Sequence, residues 1–99
     1  MKRESDLLKL ITDYLNAKRY LFIRNQSGAT KIGDRFVRFG SVGSPDLLVF
    51  AKSKTFAVEV KSDTGKLSDA QVDWRMNFIR SGAGEYILAR KLSYVEKYL

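Results

Sequence analysis

Apolar positions along this chain follow two different periods. Over residues 4–18, Leu7, Ile11 and Leu15 recur every fourth place with Leu8 and Tyr14 beside them, the stripe of a helix packed on a core. Residues 20–25, Tyr20-Leu21-Phe22-Ile23-Arg24-Asn25, read as a first strand, and Arg35-Phe36-Val37-Arg38-Phe39 as a second. Between them, residues 26–34 are polar, carry Gly28 and Gly33, and predict a mobile loop. A glycine-rich turn over 40–45 leads into a third strand, 46–51. A fourth follows at 55–61 after the short Lys52-Ser53-Lys54 connection, which predicts a hairpin. Residues 62–66 form a loop. Ser68 and Gln71 match a capping box that opens a second helix, running to about residue 80 and ended by Gly82 and Gly84. Residues 85–89 are a fifth strand, and 93–99 a short terminal helix. The order is read as αβββαβ with a small tail, an α/β arrangement whose second helix crosses over between the last two strands of the set. Residues 1–99 show no repeat and no linker, and read as one domain.

Three charges interrupt this pattern at strand ends. Asp46 precedes the apolar run Leu47-Leu48-Val49-Phe50, and Glu59 and Lys61 close the run that begins Thr55-Phe56-Ala57-Val58. A carboxylate or an amine in such surroundings is costly unless it is paired or bound to a metal. Residues 59 and 61 are two apart, so a strand turns them to one face. The hairpin sets Asp46 opposite residues 59 to 61. Two acids and a lysine then converge, the makings of a divalent-metal site with a cation beside it. The competing structural readings are an Asx turn at Asp46 and an exposed ion pair between Glu59 and Lys61.

Composition narrows the chemistry. The chain has no cysteine and no histidine, which removes thiol chemistry, cysteine-ligated zinc and the commonest general base. Any catalysis rests on carboxylates, lysine, hydroxyls or a metal held by oxygen, which favours magnesium or manganese. The net charge is +7, and setting aside Glu4, Asp46 and Glu59 leaves 18 basic against 8 acidic residues. That balance suits nucleic acid. No apolar run is long enough for a membrane span and no signal peptide is visible, so the expected location is cytoplasmic, at a nucleoid or in a phage-infected cell.

Pro45-Asp46 followed by Glu59-Val60-Lys61, together with Glu4 in the first helix, the Gly43-Ser44-Pro45-Asp46-Leu47 step and Gln71 in the second helix, resembles the PD-(D/E)xK nuclease superfamily. More narrowly it is similar to the virus-type replication-repair nuclease domain, VRR-NUC, over essentially the whole chain. The resemblance implies a restriction-endonuclease-like αβββαβ core: a mixed central sheet flanked by helices, with a short C-terminal helix. It implies that Asp46 and Glu59, with the Val60 carbonyl, bind one or two Mg2+ ions for which Mn2+ substitutes. Glu4 completes the metal site, partly through water, and Lys61 and Gln71 serve catalysis. Other readings stand beside these: Glu4 as a first-turn acid facing the helix dipole, Gln71 as a capping residue only. Arg24, Asn25, Lys31, Arg35, Arg38 and Lys66 are candidate contacts to the DNA backbone. Trp74 and Phe78 read as core.

The expected activity is a metal-dependent, structure-selective DNA endonuclease. A chain this small shows no base-reading module, so a branched substrate is expected. Compact resolvase-like relatives imply a homodimer cutting four-way (Holliday) junctions. The alternatives are a flap or branched-DNA nuclease, or a catalytically idle DNA-binding module on the same fold.

Overall fold

The computed structural model describes residues 3–25, 28–39 and 42–99, with the description of 28–32 and 36–39 confined to the backbone. Helix α1 is Glu4–Ala17, and strands β1 Leu21–Arg24, β2 Gly28–Ile32, β3 Arg35–Phe39, β4 Leu47–Ala51 and β5 Lys54–Val60 follow. Helix α2 is Asp69–Ser81, β6 is Gly84–Ala89 and α3 is Leu92–Glu96. Among the described residues no helix is long and apolar enough to cross a membrane.

Four strands form one mixed sheet in the order β1-β4-β5-β6. β1 and β5 run antiparallel to β4, and β6 runs parallel to β5. A parallel neighbour needs a long crossover, and α2 is that crossover. The sheet and its helices are the expected αβββαβ core of an α/β fold, consistent with a restriction-endonuclease-like architecture.

Period-two alternation gives β5 two different faces. Phe56, Val58 and Val60 join Leu7, Ile11 and Leu15 of α1 and Val95 and Leu99 at the C-terminal end in one buried cluster. Full burial of a side chain of this size contributes about 1.5–3 kcal/mol. Glu59 lies on the other face, toward α2. Lys52 and Ser53 make the tight β4–β5 turn with φ of 54° and 61°, left-handed values that cost non-glycine residues energy. That turn fixes the register: Ala51 opposite Lys54, and Leu47 opposite Val58.

Three expectations need correction. Residues 26–34 are not a loop throughout, because Gly28–Ile32 is a strand paired with β3. Gly33, at φ 64°, supplies the positive φ of the two-residue turn between them. The strand at 35–39 is present, but it belongs to this separate two-stranded hairpin and not to the central sheet. Gly84, expected to end α2, instead opens β6. A Cβ there would lie 1.8 Å from the Thr55 carbonyl oxygen, so only glycine lets the strands meet. Part of the turn expected over 40–45 lies outside the described residues.

Candidate active site

The C-terminal end of β5 borders a cleft of about 420 Å3. Its walls carry Glu4, Asp46, Glu59, Val60, Lys61 and Gln71, joined by Leu8, Arg24, Asn25 and Ser44. The structure therefore gathers in one place every residue expected to serve catalysis or hold metal.

Register places Asp46. It comes just before β4 and faces the end of β5, where its Oδ2 accepts the Val60 N–H at 2.8 Å. Asn25 fixes the same step from β1: its N–H donates to the Asp46 carbonyl at 2.8 Å and its side-chain amide to the Pro45 carbonyl at 3.1 Å. Asn25 is therefore engaged in holding Asp46. Arg24 is exposed at the cleft wall. Arg35 and Lys66 are exposed and do not line the cleft, and the side chains of Lys31 and Arg38 lie outside the described residues.

Glu59 is only 3% exposed. Burial, then a hydrogen bond to Asp46 and that residue's negative charge, push its carboxyl up from 4.5 to about 8; Glu4 adds to the rise and Lys61 opposes it. At neutral pH this shift favours the protonated form of Glu59. Two carboxylates this close do not both ionise without a cation.

Gln71 caps its helix as the spacing to Ser68 predicted, and it also reaches Glu59, a contact that was not expected. Its Oε1 accepts the Ser68 N–H at 2.8 Å, while Ser68 Oγ accepts the Gln71 N–H at 3.2 Å, closing the capping box. Its Nε2 donates to Glu59 Oε1 at 3.2 Å. One end of the amide caps the helix and the other reaches the site. Gly43 makes this approach possible. A Cβ on Gly43, at φ 82°, would sit 2.2 Å from the Ala70 carbonyl oxygen and 3.0 Å from the Gln71 nitrogen. The turn before Asp46 rests directly on the first turn of α2.

Glu4 enters from α1, in the first turn of the helix, and its Oε1 accepts the Ser62 N–H at 3.2 Å. Among the described residues no three acidic side chains form a metal cage by themselves. Glu4 faces the same cleft from α1 and adds its charge to the surroundings of Glu59. Trp74 and Phe78 stack at 5.3 Å and are half-buried, with Trp74 also 6.3 Å from the Tyr86 ring. They lie outside the buried core cluster, so the expectation of core residues is corrected: they are a half-buried stack on α2, with Trp74 against β6.

Sequence reasoning did not single out Ser44 or Tyr86. Ser44 Oγ is buried in the cleft wall without a hydrogen-bond partner among the described residues, and the Tyr86 hydroxyl, which is not part of the cleft lining, is likewise buried without one among them. Burial and the Glu59 charge push Tyr86 up to about 12, against the opposing pull of Arg75 above its ring. The signal for Ser44 was its place beside Pro45-Asp46; Tyr86 carried none, lying inside an apolar strand.

No curated protein matches the chain. The VRR-NUC domain matches residues 4–90, from the first residue of α1 to the residue after β6, and takes in the whole cleft. With that match spanning most of its length, the chain belongs to the VRR-NUC domain family, a nuclease family whose substrate is DNA.

Proposed function

We propose that the cleft is the active site of a metal-dependent, structure-selective endonuclease that hydrolyses DNA phosphodiester bonds. The Asp46–Glu59 pair carries this reading: two carboxyl groups, that of Glu59 buried and pushed up to about 8, meet in the wall of an open cleft with Lys61 beside them. A divalent cation between them would take the place of the Glu59 proton. The donors suit Mg2+, with Mn2+ as a substitute: the Asp46 and Glu59 carboxylates, the Val60 carbonyl, and Glu4 through water. When bound, the ion lowers the pKa of the attacking water and offsets charge building on the phosphate.

The chain's own groups do the rest. Val60 N–H and Asn25 fix Asp46, and Gln71 fixes Glu59. Lys61 orients the attacking water and offsets phosphate charge as an ammonium, or, as the neutral amine, takes a proton from that water. Arg24 meets a backbone phosphate at the cleft wall, and Lys31, Arg35, Arg38 and Lys66 add contacts that weaken with salt.

The substrate we favour is a four-way junction, cut by a homodimer whose two sites act on paired strands. An exposed apolar stripe on α2, formed by Val72, Met76 and Ile79, supports a second copy of the chain. Cleavage of a synthetic junction, a flap, a linear duplex and a single strand, with and without Mg2+, tests the proposal with Glu59→Ala and Lys61→Ala as blanks. Paired, metal-dependent cuts confined to the junction are expected, with both variants folded and inactive. Equal cutting of every duplex removes the junction assignment, and full activity in either variant removes the mechanism.

A further inference from the structure

The turn that follows Lys61 is held from outside the cleft. Nη1 of Arg90, at the end of β6, donates to the carbonyl oxygens of Ser62 at 2.6 Å, Gly65 at 2.8 Å and Asp63 at 3.3 Å. Among the described residues no carboxylate forms an ion pair with Arg90, so these carbonyl groups are the partners of its half-buried guanidinium. The turn is closed on itself as well: Gly65 N–H donates to Ser62 Oγ at 3.1 Å.

Two site residues lean on this turn. Ser62 N–H holds the Glu4 carboxylate. A Cβ on Gly65 would lie 3.2 Å from Glu4 Oε1 and 3.4 Å from Lys61 Cδ, so the bare glycine backbone forms a wall against both side chains. Lys61 N–H donates to the Ala89 carbonyl, one residue before Arg90. The geometry points to Arg90 as a positioning residue of the active site, acting through the Ser62–Gly65 turn on Glu4 and Lys61. Its catalytic consequence rests on the nuclease reading of the cleft. A charged donor is strong enough to draw three carbonyl dipoles together. Lysine is one bond shorter and presents a point charge, so it replaces arginine here only in part.

The test follows single-turnover cleavage against Mg2+ concentration for the wild type, Arg90→Met, Arg90→Lys and Gly65→Ala. NMR of the Ser62 amide and the Lys61 ammonium, without DNA or metal, is recorded on the same proteins and on Glu4→Gln. Arg90→Met is expected to cut roughly 10- to 100-fold more slowly at saturating DNA, the scale of a 1 Å misplacement. Its KM for DNA stays near the wild-type value, its Mg2+ midpoint rises, and its Ser62 signal moves as in Glu4→Gln. Arg90→Lys recovers part of the rate. Gly65→Ala, which leaves Arg90 in place, slows cleavage in the same way. A folded Arg90→Met with wild-type rate and Mg2+ midpoint overturns the inference. So does a change confined to KM, which makes Arg90 a DNA contact. If Arg90→Met does not fold, Arg90→Lys and Gly65→Ala decide on the same readouts. If the wild type cuts no DNA, the nuclease reading falls separately, and unmoved Ser62 and Lys61 signals in Arg90→Met still overturn the positioning role, while shifts matching Glu4→Gln uphold it.

Discussion

The two faces of the central sheet are built to opposite specifications. Toward α1, β5 presents Phe56, Val58 and Val60, which close with Leu7, Ile11 and Leu15 into a core without a polar side chain. Toward α2, the same strand presents Glu59, a buried carboxylate, and β6 presents a tyrosine hydroxyl without a partner among the described residues. Not one residue of α2 is fully buried. Leu21, Ile23 and Phe50 also remain exposed, and on the pleat they lie opposite the α1 face. One face supplies stability. The other accepts polar burial and open apolar surface, the conditions under which a carboxylate pair can be held ready for a cation. Site residues depend on the first face for their register and on the second for their environment.

Truncation on the α1 face tests the division most severely. Ile11 is fully buried at the centre of the cluster. Ile11→Ala is expected to cost about 2–5 kcal/mol in urea unfolding, through lost transfer energy and the cavity left behind. A cost under about 1 kcal/mol would mean that α1 is not the principal support of the sheet.

The α1 face was also the more legible part of the sequence. Leu7, Ile11 and Leu15 announce it by spacing alone, because a helix on a core must repeat near 3.6. Asp46 opposite Glu59 was readable for a similar reason: a short turn fixes the register of the strands on either side of it. β2 was not readable. Gly28-Ala29-Thr30-Lys31-Ile32 lacks the alternation of a sheet strand because it belongs to a hairpin outside the central sheet, and its partner determines it. The capping role of Gln71 was visible in the spacing to Ser68. Its reach to Glu59 depends on the close approach of Gly43 to α2, a contact between segments that no local pattern encodes. Arg90 showed only as a charge after an apolar strand, since its partners are backbone carbonyls and carry no side-chain signature.

On the α2 face, Glu59→Gln isolates the cost of the site. With its carboxyl raised from 4.5 to about 8 in the folded protein, Glu59 adds stability that is complete below pH 4.5 and lost as pH climbs through 8. Metal-free wild type should therefore lose about 1–3 kcal/mol relative to Glu59→Gln between pH 4.5 and 8.5, a figure discounted from the full shift for relaxation around the site. Thermal unfolding of both proteins across that range measures it. Millimolar Mg2+ at pH 8 should raise the wild-type midpoint and leave the variant nearly unmoved, because binding to the folded state stabilises by mass action. Parallel pH curves for the two proteins would show that Glu59 ionises normally.

Met76, 53% exposed on the outer side of α2, gives the smallest effect on the single chain and the sharpest reading of the exposed face. Met76→Asp removes no buried contact within one copy, so unfolding at low concentration should shift by under about 0.5 kcal/mol. The same change behaves differently if two copies meet along Val72, Met76 and Ile79. A symmetric interface then receives the aspartate twice, each time in apolar surroundings where an unpaired charge is strongly disfavoured. Sedimentation at micromolar concentration should find the wild type dimeric and Met76→Asp monomeric, with nearly the same low-concentration stability. A wild type that sediments as a monomer removes the dimer. A dimer that survives Met76→Asp moves the interface elsewhere, with the sheet-face residues Leu21, Ile23 and Phe50 as the next apolar surface to test.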